Sequence, residues 1–366
     1  MIQNAPETPD LAENGVLAPE QAAEEAGLHY VHATDPGIGR ERDGEGWRYF
    51  GPSGKPITDE KTLARVSKLA IPPAYTDVWI CKDAKGHLQA VGKDARGRKQ
   101  YRYHADFRAI RDSNKFEHML EFARALPIIR ATIDKHMGLR GMPREKVLAT
   151  VVYLLETTLI RVGNDEYAKE NDSFGLTTLR NRHVKIEGSE LRFRFKGKSN
   201  KEWNLKLKDR RIARLVKAAQ ELPGQSLFQY LGEDGETHGV NSSDVNEYLR
   251  EIAGSAVTAK DFRTWAGTVL AASALAEFEA FETPTAAKKN VKSAIERVAA
   301  QLGNTPTICR KCYVHPEIVG AYMDKALALT IAERIEDVLD RGDGLQPAEE
   351  AVLTFLHTRM GVGAAA

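Results

Sequence analysis

Lysines and arginines are the side chains whose spacing first suggests chemistry in this sequence. Over residues 192 to 217, Arg192, Arg194, Lys196, Lys198, Lys201, Lys206, Lys208, Arg210, Arg211, Arg214 and Lys217 stand against only Glu202 and Asp209. A second dense run covers residues 82 to 111. Fixed cations are what a phosphodiester needs, both to be held and to have charge stabilised while it reacts. A basic run alone is most often a solvated surface, so neither cluster decides the matter. The first has a sharper pattern. Leu191, Phe193 and Phe195 alternate with Arg192, Arg194, Lys196 and Lys198, and Trp203, Leu205 and Leu207 alternate with Asn204, Lys206 and Lys208. Strand periodicity puts one set on each face. One face then packs on the protein and the other offers cations along a phosphate backbone, although an exposed amphipathic hairpin without a ligand is an equal reading at this point.

Cys309 and Cys312 form a C-x-x-C, the pattern of a redox pair or half a zinc site. Zinc wants four ligands, and only His315 and the distant Cys81 are on offer. A thioredoxin-like motif should open a helix after a buried strand, a context missing here. Both cysteines are read as filler, with no metal site expected.

The elements that must position these residues fall into two folded regions. At 366 residues, 42% hydrophobic and 28% charged, the chain has the composition of a globular protein of two or three domains. No apolar run approaches a membrane span and the N-terminus lacks a secretion signal, so the expected location is cytoplasmic. Residues 1 to 28 carry Glu7, Asp10, Glu13, Glu20, Glu24 and Glu25 and no Lys or Arg, which reads as an acidic, mostly disordered tail. Without it the remainder is clearly basic, although the whole chain is only +1. Residues 29 to 105 show short strand-like segments (WRYF, DVWI, LQAVG, QYRYH) between turn signals, a small antiparallel β domain. Residues 106 to 366 read as a mainly helical domain. In it, EKVLATVVYLLETTLIRVG has helical spacing and ends at Gly163, and further helices are expected at 209 to 220, 242 to 253, 261 to 280, 286 to 302 and 325 to 340. A three-stranded β insert, HVKIEGSELRFRFKGKSNKEWNLKLKD, interrupts it. The fold class is α+β.

Four strings in order, LIRVGNDEYAKENDSFGLTTLRNRHVKI, FKGKSN, KDFRTWAG and LGNTPTICRKCY, together resemble the catalytic domain of type IB DNA topoisomerases of the poxvirus and bacterial kind. TDVWI and VGKDARGRKQYRYH resemble that family's N-terminal domain, so the likeness runs over roughly residues 30 to 345. It implies a bacterial, nucleoid-associated enzyme that acts on double-stranded DNA, as a monomer clamping the duplex. It implies Tyr313 as nucleophile, Arg161 and Arg263 on the scissile phosphate, Lys198 as the acid that protonates the leaving 5′ oxygen, and Lys260 as a second lysine assisting that transfer. The bond energy is kept in a 3′-phosphotyrosyl link, so neither ATP, metal nor any other cofactor is required. The family usually has a histidine, in a string like GHTPSISKRAY, where GNTPTICRKCY has Asn304; asparagine still donates a hydrogen bond but carries no charge. The likeness further implies DNA contacts by Arg98, Lys99, Gln100, Tyr101 and Tyr103 in the β domain, by Tyr167 and Lys169, and by Arg194 and Lys196 on the hairpin. For Tyr103, packing is the competing reading.

Two other classes fit part of the pattern. A tyrosine recombinase uses a similar set of residues, but its box has a histidine where this chain has Lys260, and it lacks a domain with the GRKQYRY string. A DNA-binding protein without activity does not need a nucleophile beside Arg161, Lys198 and Arg263.

Overall fold

A computed structural model of the chain describes residues 18–44, 46–95, 97–278, 280–327 and 344–361. It divides into two compact units, Met1–His118 and Met119–Ala366.

In the first unit, α1 (Pro19–Glu25) opens the described chain. Its Ala22 and Ala23 are buried with Leu28 and Phe107, so the acidic tail expected over 1 to 28 is packed structure from residue 18 onward. Residues 1–17 lie outside the described part. A hairpin, β1 (Gly39–Asp43) with β2 (Gly46–Phe50), precedes α2 (Glu60–Lys68) and a three-stranded antiparallel sheet. Its strands are β3 (Thr76–Ile80), β4 (Leu88–Lys93) and β5 (Lys99–Tyr103), with β4 in the middle. Sequence reasoning found β2 to β5 but not β1, whose GRERD is short of β-forming residues, nor α2. The α2 helix is fixed by the Asp59 carboxylate, which accepts from the Thr62 N–H at 2.8 Å, and by Val66 buried among Ile38, Ile80 and Ala90. Helical structure resumes at Ala105 with α3 (Ala105–Met137), at the expected start of the helical region.

The second unit is built around helices. α4 (Arg144–Thr158) buries Val147, Leu148, Val151, Leu154 and Leu155, and its apolar residues wrap most of its circumference because other elements cover it on several sides. It ends at Thr158, short of Gly163, because Leu159 adopts a left-handed conformation (φ 55). A leucine there is strained by roughly 1 kcal/mol. α5 (Asp165–Asn171) follows, capped by Asn164 Oδ1, which accepts from the Tyr167 N–H at 2.8 Å. The β insert is as expected: β6 (Val184–Glu187), β7 (Glu190–Gly197) and β8 (Lys201–Lys208), antiparallel with β7 central. Phe195 pairs with Trp203, Phe193 with Leu205 and Leu191 with Leu207, and all three β7 members of this face are buried.

α6 (Arg210–Gln220) and α7 (Ser242–Ala253) match their expected spans, and a small hairpin of β9 (Gln229–Leu231) and β10 (Thr237–Gly239) lies between them. α8 (Ala259–Ala276) is the hub. It packs on α4, on α9 (Pro284–Leu302), on α10 (Pro306–Tyr313), on α11 (Pro316–Met323) and on a last helix over Pro347–Met360. Nearly every turn of α8 is therefore buried. The helix expected at 325 to 340 falls mainly on residues 328–343, outside the described part.

Candidate active site

α8 begins at a designed stop. Asp261 accepts from both the N–H and the hydroxyl of Thr258 at 2.9 Å, and Asn246 caps the Ala259 N–H. Lys260 and Arg263 follow in the first turns, three residues apart and on one face. Arg263 is only 3% exposed. Its two terminal nitrogens donate to the carbonyl of Leu159 and, at 2.6 Å, to that of Leu302, the last residue of α9. The strained Leu159 thus aims its carbonyl at the arginine. The Arg263 guanidinium lies 5.2 Å from the centre of the Tyr313 ring.

Tyr313 ends α10, and α8 holds it there. A Cβ on Gly267 would sit 2.6 Å from the Tyr313 carbonyl oxygen, so no larger residue allows this approach. One residue on, the fully buried Thr268 hydroxyl lies 3.2 Å from the same oxygen and accepts from the His315 N–H at 3.1 Å. Arginine and tyrosine are in this way set along a single helix.

Arg161 leaves α4 in an extended segment whose carbonyl accepts from Leu176 at 2.9 Å. Its guanidinium donates to Asn304 Oδ1. Since arginine only donates, the amide must turn its oxygen to Arg161, which leaves Asn304 Nδ2 buried and without a partner among the described residues. Arg263 Nε is in the same condition. Burial first, and then the neighbouring Arg161 charge, lower the Arg263 pKa from its usual value. Among the described residues no carboxylate pairs with Arg161, Arg263, Lys198 or Lys260. Like charges so placed, with spare donors around them, suit an anion.

These groups meet at one cavity of about 470 Å³ lined by Arg161, Tyr167, Lys198, Lys260, Arg263 and Tyr313, with Gly163, Phe174 and Gly175 among its other walls. Lys198 reaches it from the short turn between β7 and β8. Lys169 is exposed on α5 and does not line the cavity. Arg194 and Lys196 are exposed on the cationic face, where they line a second cleft together with Arg182, a residue that sequence reasoning passed over. At the far end of that face, Arg192 is engaged by Glu190 at 2.6 Å and Lys185 by Glu187 at 2.9 Å.

Cys309 is fully buried on α10, where desolvation pushes its thiol up to about 11. Among the described residues, no three His, Cys, Asp or Glu side chains are grouped as metal ligands.

In the first unit the anticipated contacts are differently occupied. Arg98 is paired with Asp94 at 2.7 Å, and Gln100 donates to the same carboxylate at 3.1 Å. Lys99 is exposed. Tyr103 stacks on Phe107 with centroids 5.4 Å apart, and burial raises its pKa. Tyr101 lies half-buried beside it at 6.1 Å.

Residues 104–336, more than half of the chain, match the family of the eukaryotic DNA topoisomerase I catalytic core, and residues 46–94 match the N-terminal domain of bacterial DNA topoisomerase IB. DNA topoisomerase 1B of Acanthamoeba polyphaga mimivirus is 32% identical over 285 residues, covering 76% of this chain and 85% of that protein. DNA topoisomerase 1B of vaccinia virus, strain Copenhagen, is 25% identical over 279 residues, covering 74% and 85%. Among solved structures, the XerH site-specific recombinase bound to difH substrate overlaps at 15% identity and a TM-score of 0.31, over 52% of this chain and 49% of that one, a level too low to relate the two folds. With both a core and an N-terminal domain matched, and with a viral relative this similar over most of both lengths, the chain belongs to the type IB DNA topoisomerase family.

Proposed function

We propose that in this type IB topoisomerase Tyr313 is the nucleophile that cuts one strand of supercoiled duplex DNA, and that Arg161, Arg263, Lys198, Lys260 and Asn304 act on the phosphate and the leaving oxygen. A tyrosine hydroxyl, with a pKa near ~10, is a weak nucleophile toward a phosphodiester and needs cationic help. The Tyr313 oxygen attacks phosphorus and gives up its proton to solvent water, the bond from phosphorus to the 5′ oxygen breaks with its electron pair going to that oxygen, and Lys198 protonates it. The product is a 3′-phosphotyrosyl link and a free 5′-hydroxyl. Religation runs the same steps backward. Arg161 and Arg263 stabilise the nonbridging oxygens, and Asn304 adds its unpaired N–H. Lys260, one turn before Arg263, assists the proton transfer.

The observation that supports this reading most is the cavity that Arg161, Lys198, Lys260, Arg263 and Tyr313 share, from four separate segments of the chain. The set lies within one chain, which favours a monomer as the active species, engaging duplex DNA through both domains. Arg194 and Lys196, with Tyr167 and Lys169, would follow the backbone outside the cavity, and Lys99 and Tyr101 would contribute from the N-terminal domain. The bacterial N-terminal domain match supports a bacterial source, and a reaction on chromosomal DNA would place the enzyme in the cytoplasm, on the nucleoid. No helix among the described residues is long and apolar enough to cross a membrane.

The test is relaxation of plasmid DNA in EDTA without ATP. Positive and negative supercoils should both relax, because the charge-stabilising duties rest on side chains. An absolute need for Mg²⁺ or ATP would overturn the mechanism.

A further inference from the structure

Lys198 is an exposed side chain on a three-residue turn, and something must fix where that turn sits relative to the phosphate-binding residues. Two contacts do so. On one side the Phe174 N–H donates to the Lys196 carbonyl at 2.7 Å, which ties β7 to the loop after α5. On the other side stands Trp203 of β8. Its ring lies parallel to Phe195, with centroids 5.9 Å apart and planes at 4°. Its pyrrole edge covers Gly197, where an added Cβ would lie 2.6 Å from the indole Nε1. Its benzo edge covers Gly303, where an added Cβ would lie 2.7 Å from Cζ2. One rigid indole therefore spans from the residue before Lys198 to the residue before Asn304. Two glycines make room for it: Gly303 also caps α9 in a left-handed conformation (φ 64), whereas Gly197 has φ −101, a backbone open to any residue, so the indole is what its missing side chain accommodates.

We infer that Trp203 is a positioning residue: it sets the distance between the Lys198 turn and the Asn304 segment, and so delivers the lysine to the leaving oxygen. The inference rests on the reading of Lys198 as the general acid. Arg161 is bonded to Asn304, so the segment under the benzo edge is the one that carries the phosphate-binding groups. Removing the indole leaves Arg161 on the extended segment after α4, Arg263 on α8 and Tyr313 on α10, while the hairpin tip loses its stop. A small misplacement of a catalytic group costs up to about 100-fold in rate.

Single-turnover cleavage of a duplex carrying oxygen or sulfur at the 5′ bridging position tests this. A thiolate, whose conjugate acid has a pKa near ~8.5, leaves without a proton donor, whereas an alkoxide does not. Trp203→Ala should cleave the oxygen substrate about 10- to 100-fold slowly and the sulfur substrate at close to the wild-type rate, with DNA affinity unchanged. Trp203→Phe keeps the ring over Phe195 but lacks the edge that meets Gly303. It should be intermediate on oxygen and restored on sulfur, and it serves if the alanine variant fails to fold. Equal slowing on both substrates, or full speed on oxygen, would overturn the inference. Lys198→Ala is the control for the underlying reading. If sulfur rescues Lys198→Ala but not the Trp203 variants, only the role of Trp203 falls; if it fails to rescue Lys198→Ala, the general-acid assignment falls and this inference with it.

Discussion

The arginines of the cavity and Arg98, just before β5, are both immobilised, by opposite kinds of partner. Arg263 is held by the carbonyls of Leu159 and Leu302, and Arg161 by the amide oxygen of Asn304. These acceptors orient a guanidinium and leave its charge intact. Arg98 is held by the Asp94 carboxylate, which also takes Gln100, so its charge is largely cancelled before any DNA arrives. Neutral acceptors build a site for an anion, whereas a carboxylate builds a surface whose cation must first be released. The hairpin repeats the contrast within one sheet: Arg192 and Lys185 at its far end are paired with glutamates, while Arg194, Lys196 and Lys198 toward the tip carry no such partner among the described residues.

That contrast can be broken at several points. The largest effect should come from Tyr313→Phe, which keeps the ring beside Arg263 and removes only the attacking oxygen. Trapping of covalent complexes should yield none, while a binding titration matches the wild type. Next is Arg263→Ala. It strips charge from the transition state and orphans two buried carbonyls, so cleavage should slow by about 10² to 10³, with a loss of stability of roughly 1 to 3 kcal/mol visible in denaturant melts. Asn304 then gives a graded comparison. Asn304→Ala removes one neutral donor and should cost about 10-fold, whereas Asn304→Asp installs the Arg98 arrangement beside Arg161 and should be slower still despite its similar shape. An aspartate variant as fast as the alanine one would remove the premise that charge must stay uncancelled. The smallest effect is expected in the N-terminal domain. Asp94→Asn should release Arg98, tighten DNA binding and steepen the salt dependence of log K by about 0.9, the value of one added phosphate contact. An unchanged slope would mean that Arg98 does not face DNA.

Much of the site could be read before the structure, because it lies in short strings with recognisable residue order. The alternation in LRFRFKGKSN put Lys198 on the cationic face, and the buried Leu191, Phe193 and Phe195 agree; its place at the hairpin tip came with the family resemblance. Helix spans were legible where apolar spacing was regular, as in α6 and α7. Features set by distant contacts were not legible. Nothing near Leu159 announces a left-handed residue, because its carbonyl is oriented by Arg263, far along the chain. The earlier stop of α4 follows from that. Trp203 read as one apolar residue in an alternating strand, and its span from Gly197 to Gly303 depends on the α9 end coming alongside. α1 was hidden by its acidic composition, since only the small side chains of Ala22 and Ala23 are buried. The pairing of Arg98 with Asp94 was within reach of the sequence, the two being four residues apart around a turn. Counting basic residues without asking which carboxylate each one meets concealed it.

The central claim is that one tyrosine, activated by uncancelled side-chain cations alone, carries the cut strand. The most direct measurement is to trap the covalent complex in EDTA on a duplex that cannot religate, digest it with trypsin, and fragment the DNA-linked peptide. Cleavage after Lys311 and Lys325 gives a peptide with two tyrosines, Tyr313 and Tyr322. Tyr322 is buried, with its hydroxyl accepting from Asn290 at 2.8 Å. The nucleotide mass should lie on Tyr313, joined through a 3′-phosphate. A mass on Tyr322 or on any other residue, a 5′-phosphate link, or no adduct without added metal would contradict the account.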